Sequence, residues 1–169
     1  MKKRFKIALI ANTSNFFNSF MLKHIEQLSK KYKIFICCND ADQLKELTSK
    51  NVVLININFK RGLSIFDDVI TFVTTFFFFL KKKPNISISF TPKIGFMVAL
   101  STFVARTPKR IHWFTGQIWS KKKGFPRIFY KFVDRLIFFL CHNVLVDSLP
   151  QKNFLIKEKI VSINKSIVL

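Results

Sequence analysis

Two tryptophans, a histidine and a glutamine crowd around a glycine in His112-Trp113-Phe114-Thr115-Gly116-Gln117-Ile118-Trp119. Indole rings can stack on a sugar face, and His and Gln side chains can hydrogen-bond its hydroxyls, so this segment suits a carbohydrate. Gly116 permits a tight turn out of a preceding strand. Trp113 falls inside the apolar run and is expected in the core. Thr115, Gly116, Gln117 and Trp119 lie beyond it and are expected to reach a ligand. Two other segments offer polar groups. Asn12-Thr13-Ser14-Asn15 carries short amide and hydroxyl side chains that could bond a sugar hydroxyl or simply cap a helix. Thr91-Pro92-Lys93 reads as a helix start whose free amides favour an anion, with Lys93 adding a cation beside them.

Other chemistries lack their residues. There is no G-x-S-x-G elbow for a serine triad, and no glycine precedes Gly62, which excludes a glycine-rich dinucleotide fingerprint early in the chain. Cys37, Cys38 and Cys141 are an odd set without ligand spacing and read as small buried hydrophobes. Neither a metal nor a cofactor is expected. Asp and Glu total only 9, so paired acid–base chemistry has few candidates. Asp147 is the best placed by position, but it reads first as part of a helix cap, and no catalytic residue is assigned.

These segments stand where one kind of apolar pattern gives way to another. Short apolar runs at 5–10, 34–38, 52–57, 86–90, 110–114 and 144–147 read as buried strands, and Ile167-Val168-Leu169 opens a further one. Helical spacing predicts a helix over 17–32 with Asn15 as its N-cap. A short helix follows a capping box of Asp40 and Gln43, and a long apolar one covers 63–83. Thr91 as N-cap and Pro92 at the first position open a helix to about 106. Two more cover 126–142 and the stretch after a Ser148–Gln151 capping box. Uninterrupted apolar strands, each followed by a helix, predict an α/β fold: one Rossmann-like, doubly wound parallel sheet of six or seven strands in a single domain. Ligands in such a sheet sit beyond the carboxyl ends of the strands, which is where the three polar segments fall.

Charge is the other strong signal. Lys and Arg number 29, giving a net charge of +20, and 22 of the 169 residues are Phe. Such an excess points to a polyanion: nucleic acid, an anionic membrane or a phosphorylated substrate. An AT-rich genome would inflate Lys and Phe together and accounts for part of both. No nucleic-acid-binding pattern is present, so no nucleic acid partner is expected. The most apolar stretch, 69–80, has twelve residues against the roughly 20 needed to span a bilayer. Attachment to an anionic membrane surface fits better, through Lys81, Lys82, Lys83, Lys121, Lys122 and Lys123. Arg127, Lys131 and Arg135, at four-residue intervals on one helix face, join them, with Phe side chains entering the headgroups.

Ser89-Phe90-Thr91-Pro92-Lys93 is followed by a helix ending Ala105-Arg106-Thr107-Pro108-Lys109-Arg110-Ile111. Then come Trp113-Phe114-Thr115-Gly116, Asp134-Arg135-Leu136-Ile137, and Val144-Leu145-Val146-Asp147-Ser148 with Gln151 and Phe154-Leu155-Ile156. In order and spacing this half resembles the N-terminal domain of family 4-type glycosyltransferases of the GT-B fold, the subgroup that builds capsule, O-antigen and related surface polysaccharides in bacteria. The first half agrees in layout, with Phe16-Phe17 opening the first helix. The resemblance implies an acceptor-side domain over 1–160, with 161–169 starting a link to a C-terminal domain that is not in these residues. It implies a glycan or polyprenyl-diphosphate-linked acceptor held by Asn12 to Asn15, Thr91 to Lys93 and Thr115 to Gln117. It places the chain in the cytoplasm, peripheral on the inner face of the membrane. A nucleotide-sugar donor would bind only with a C-terminal domain or a partner subunit, leaving this chain inactive alone. A non-catalytic docking or scaffold subunit of a split glycosyltransferase is the alternative.

Overall fold

The computed structural model describes residues 4–59 and 64–169, apart from the side chains of Ile65 and Lys93. The basic pairs Lys2-Lys3 and Lys60-Arg61, and Leu63 at the start of the expected long helix, lie outside the described residues. Seven strands, β1 (Lys6–Thr13), β2 (Lys33–Asn39), β3 (Val52–Asn56), β4 (Ile86–Ser89), β5 (Lys109–Phe114), β6 (Asn143–Val146) and β7 (Ser166–Val168), form one sheet. Their order is β3-β2-β1-β4-β5-β6-β7, and every neighbouring pair is parallel. Residues 161–169, expected to begin a link, carry a 3-10 turn at Ile163–Lys165 and then β7.

The helices are α1 (Ser14–Phe20), α2 (Leu22–Ser29), α3 (Ile65–Lys82), α4 (Pro92–Val104), α5 (Gly124–Leu140) and α6 (Leu149–Lys157), with a 3-10 helix at Ala41–Leu47. Right-handed crossovers decide which face each covers. From β1 to β3 the chain moves one way, placing α1, α2 and the 3-10 helix on one face. It then doubles back from β3 to β4, which sends α3 to α6 to the other. Side-chain alternation agrees: Ile7, Leu9 and Ala11 pack with Phe17 and Ile25, whereas Ala8 and Ile10 pack with Phe78, Phe79, Ile94 and Val98. Where the direction reverses, β1 lies beside β4, and the connections leaving their carboxyl ends part to opposite faces.

Several local expectations change. The helix expected over 17–32 breaks at Met21 (φ −122°, ψ −5°), a turn that brings Phe17, Met21 and Ile25 all into the core. Its first N-cap is Thr13, because β1 runs on past a bulge to pair Thr13 with Asn39. Asp40 takes a left-handed conformation (φ 54°) and makes no side-chain cap bond, so the capping box there does not form. The one at Ser148 does: its Oγ accepts from the Gln151 N–H at 3.3 Å. Helix α3 is capped in the same way, Ser64 Oγ accepting from the Asp67 N–H, with Asp67 and Asp68 in its first turn and Lys81 and Lys82 in its last. Those charges all complement the helix dipole.

Packing is close under α4. His112, fully buried on β5, shares a 2.8 Å hydrogen bond between its Nδ1 and Ser89 Oγ on β4. Directly above it is Gly95, and a Cβ built there would stand 2.3 Å from His112 Cε1. Burial pushes the imidazole pKa down from 6.5 to about 3, so the ring is neutral in the folded protein. The unfolded chain then binds the extra proton, and stability is lost as pH falls from about 6.5 towards 3. Gly95→Ala should cost about 1–3 kcal/mol by overpacking, read as a lower denaturation midpoint. In a His112→Ala background the same change should cost markedly less; equal costs in both would rule out the clash as the cause.

Candidate functional site

The three polar segments meet along the carboxyl edge of β1, β4 and β5. The Phe90 N–H donates to the Ile10 carbonyl at 3.1 Å, and Thr115 Oγ1 donates to the Phe90 carbonyl at 3.3 Å. Asn12 and Thr13 are the last residues of β1 and are half-buried, Asn15 is exposed, and Ser14 is buried, its Oγ donating to Gln43 Oε1 at 2.9 Å. Ser14 is therefore occupied within the fold. Thr91 caps α4 by position but makes no side-chain cap bond. Its Oγ1 and the Gln117 Nε2 are both buried without a hydrogen-bond partner among the described residues. Pro92 and Lys93 open α4, and the Lys93 side chain lies outside the described residues. Gly116 adopts φ 155°, with open space where a Cβ would be.

The two tryptophans exchange their expected places. Trp119 is 1% exposed. One ring contact is a stack on Phe154 at 5.4 Å between centroids; Arg127 and Lys131 lie 5.3 and 5.4 Å from its centre. A buried indole needs a partner for its N–H, and Trp119 Nε1 donates to Asp134 Oδ2 at 2.7 Å. It is a core residue and offers no face to a sugar. Trp113, expected in the core, is only half-buried, and its Nε1 donates to Asp147 Oδ1 at 2.5 Å across the tips of β5 and β6. Its ring continues an aromatic row along this edge: Phe20 to Phe16 at 5.5 Å, Phe16 to Phe90 at 4.7 Å, Phe90 to Trp113 at 5.6 Å. Gln151 ties the edge together, accepting from the Asp147 N–H at 2.7 Å and donating to the Phe114 carbonyl at 2.9 Å. Trp113, Asp147 and Phe16 thus join the candidate site. Strand alternation was the available clue: Trp113 is two residues from Ile111 and points to the thinly covered face, opposite His112 and Phe114.

The basic residues divide into two groups. Arg127 Nη2 reaches both Glu158 carboxylate oxygens at 3.1 Å, and Lys131 Nζ reaches one at 2.6 Å. Arg135 donates to the carbonyls of Lys159 and Glu158. These three hold α5 against the end of α6, where carbonyls and the helix dipole favour cations. The lysine triplets face outward instead. Lys81, Lys82 and Lys83 are exposed at the far end of α3. Lys121 and Lys123 are exposed just before α5, and Lys122 lies 5.6 Å from the Tyr130 ring centre.

Between the triplets the outer helix layer is apolar. Phe66, Ile70, Val73, Phe77 and Leu80 make an exposed stripe at helical spacing along α3; Phe125, Ile128, Phe129, Phe132 and Phe139 do the same on α5. Phe66 and Phe125 are 75% and 76% exposed. Helix α4 is recessed between them. No helix among the described residues is long and apolar enough to cross a membrane.

No family model matches the chain. The capsular polysaccharide biosynthesis glycosyltransferase CapM of Staphylococcus aureus is 28% identical over 150 residues, 88% of this chain and 39% of that protein. The UDP-GlcNAc 2-epimerase of Methanocaldococcus jannaschii, solved in complex with UDP-GlcNAc and UDP, matches with a TM-score of 0.71 at 18% identity, over 97% of this chain and 46% of that one. MurG of Acinetobacter baumannii matches with a TM-score of 0.63 at 11% identity, over 97% and 44%. The chain therefore spans less than half the length of each. Its fold is the Rossmann-like α/β domain of GT-B proteins, and the sequence likeness is to a glycosyltransferase of capsule synthesis. Both agree with the resemblance carried by the motifs between Ser89 and Ile156.

Burial raises the Asp134 pKa from 3.8 to about 6, and the Trp119 hydrogen bond opposes that rise. A raised carboxyl takes up its proton more readily in the folded state, so its contribution to stability falls as pH rises from about 4 to about 6. Asp134→Asn retains an acceptor for the indole and should add about 1–3 kcal/mol above pH 6 and little below pH 4. Asp134→Ala, which leaves the indole N–H unmatched, should destabilise at every pH. Denaturation midpoints across this range test both, and a pH-independent difference for the Asn variant would contradict the burial argument.

Proposed function

We propose that this chain is the acceptor-side half of a glycosyltransferase of bacterial surface-polysaccharide synthesis, docked on an anionic membrane, with the nucleotide-sugar donor held by a second domain in cis or in trans. The observation that carries the reading is the likeness to CapM over 88% of the chain, in a fold that recurs in nucleotide-sugar enzymes. The acceptor is a polyprenyl-diphosphate-linked sugar or another glycan. Its sugar stacks on the half-exposed Trp113 ring, while Asn12, Asn15 and the Asp147 carboxylate bond its hydroxyls. Thr91 and Gln117 supply buried polar atoms that lack partners among the described residues, a demand a phosphate or hydroxyl oxygen would satisfy.

The membrane part of the reading rests on geometry. Helix α3 has 18 residues, and at about 1.5 Å per residue it separates Lys81 to Lys83 from the carboxyl edge of the sheet by about 27 Å. Lys121 to Lys123 precede α5 at that edge. An anionic surface meeting both triplets lies along the helix layer, covers the α3 and α5 stripes, and brings the acceptor edge beside the bilayer.

Replacing Lys81, Lys82 and Lys83 together by Ala should weaken binding to phosphatidylglycerol-containing vesicles by about 3 kcal/mol, roughly a hundredfold, at about 1 kcal/mol per lysine. Flotation reads this directly, and equal flotation of both proteins on anionic and neutral vesicles would sink the membrane reading. For the half-enzyme reading, nucleotide-sugar transfer should require an added donor domain. Turnover by the 169 residues alone would overturn it. With the complementing domain present, Trp113→Ala should raise the acceptor KM about tenfold or more, and an unchanged KM would remove Trp113 from the site.

A further inference from the structure

A groove of about 320 Å³ lies at the tips of β2 and β3, lined by Asn39, Asp40, Asn56, Ile57 and Asn58. Two of its asparagines are fixed by their surroundings. Asn39 Oδ1 accepts from the Phe59 N–H at 2.5 Å, and its Nδ2 donates to the Phe59 carbonyl at 2.8 Å. Asn56 Oδ1 accepts from the Ala41 N–H at 3.0 Å, and its Nδ2 donates to Asp42 Oδ2 at 3.0 Å. Ile57 and Phe59 are buried in the core, so the segment that carries Asn56 and Asn58 is anchored to the sheet. An amide side chain has two N–H donors and two acceptor lone pairs, which leaves both fixed asparagines with capacity for a ligand.

Holding the loop explains Asn39 and Asn56, but not the other two polar residues. Asn58 and Asp40 are exposed, and Asp40 makes no cap bond to the helix it precedes. Nor does it explain the charge. On a chain of net charge +20, the described residues lining this groove include one carboxylate and no Lys or Arg. An anion is disfavoured there. A neutral ligand rich in hydroxyls is matched, by amides that donate and accept and a carboxylate that accepts.

The groove continues the edge that holds Trp113. Thr13, the last residue of β1, pairs with Asn39, and Ser14 Oγ donates to Gln43 on the 3-10 helix that follows Asp40. In the strand order β5 stands three spacings from β2, so at about 4.8 Å each Trp113 and the near wall of the groove are about 14 Å apart. Asn12 and Asn15, at the end of β1 and the start of α1, stand between them. One sugar ring is too small to touch both ends of this row, whereas a short chain of sugars reaches.

We infer that the groove is a second carbohydrate subsite: the ligand of this edge is a neutral oligosaccharide of at least three sugars, with its terminal sugar on Trp113 and a sugar further along the chain among the asparagines. This rests on reading the Trp113 edge as the acceptor site, and it adds a requirement for acceptor length. A mono- or disaccharide leaves the groove empty and forgoes binding energy remote from the reacting hydroxyl.

The test uses the intact chain and two soluble neutral series, maltose and chitin oligomers of one to six sugars, in ligand-observed NMR titrations. In at least one series the tetramer should bind at least tenfold more tightly than the dimer. Asn58→Ala and, independently, Asp40→Gly each remove an exposed groove side chain, and glycine suits the left-handed backbone at position 40 (φ 54°). Each should weaken tetramer binding at least tenfold and leave dimer binding unchanged, while Trp113→Ala weakens both. Circular dichroism checks the fold of each variant, and the length dependence of the unsubstituted chain decides the matter if one is not folded. Binding independent of length, no binding of any oligomer, or full tetramer binding by both folded groove variants would each overturn the subsite. Uridine monophosphate binding that the groove variants abolish would assign the groove to a ribose and overturn it too. The two readings fail separately. Length-independent binding that Trp113→Ala removes refutes only the groove, and length-dependent binding that needs Asn58 but not Trp113 refutes only the acceptor edge at Trp113.

Discussion

Helix α4 lies on β4 and β5 at a spacing that only a glycine allows, because the His112 ring occupies the volume a Cβ at position 95 would need. That contact organises the rest. It brings α4 close to the sheet, so that α3 and α5 stand proud on either side and a cavity opens over its first turn. It also fixes where α4 begins, and with it the position of Thr91 beside the tips of β1 and β5. The Ser89–His112 hydrogen bond holds the ring in place, and the ring stays neutral because no water can reach it to solvate a charge.

The helix layer carries two kinds of polar arrangement, and burial separates them. Where α5 meets α6, Arg127, Lys131 and Arg135 find Glu158 and the terminal carbonyls, and Lys131 above all holds the Glu158 carboxyl below its usual range. Half-buried pairs at the rim of the fold, like these, contribute modestly to stability, but they tie α5 to the end of α6. Where the layer faces outward, large apolar side chains and the lysine triplets stand on the surface. A soluble surface rarely exposes so continuous an apolar area without using it. The proposed membrane surface gives the two stripes a single cause.

Much of the architecture was legible in the residues. Six of the seven strands announce themselves as short runs rich in apolar residues, although β4 alternates Ile and Ser. Pro92 after Thr91 and Ser148 with Gln151 mark helix starts that form where expected. The errors were local and share a cause. Neither the break at Met21 nor the left-handed Asp40 is marked by a glycine or a proline, the residues that usually punctuate a chain. The candidate site was legible as three loops, since strand ends can be counted. Which residues in those loops reach solvent was not: Trp113 and Trp119 are six positions apart in the same motif, and their burial is the reverse of the one expected.

The chain by itself determines that an α/β sheet forms, which segments lie at its carboxyl edge, and that the surface is strongly basic, because apolar periodicity and charge are properties of residue order and type. Only the tertiary structure decides that Trp119 is sealed against Phe154 and Asp134 while Trp113 stays half-open beside Asp147. It alone separates the engaged Arg127, Lys131 and Arg135 from the outward lysine triplets, and it alone makes a cavity from residues of three helices far apart in sequence. The physical reason is common to all three. Burial, pairing and empty volume depend on which side chains of distant segments share one small space, and that is settled when the helices close on the sheet.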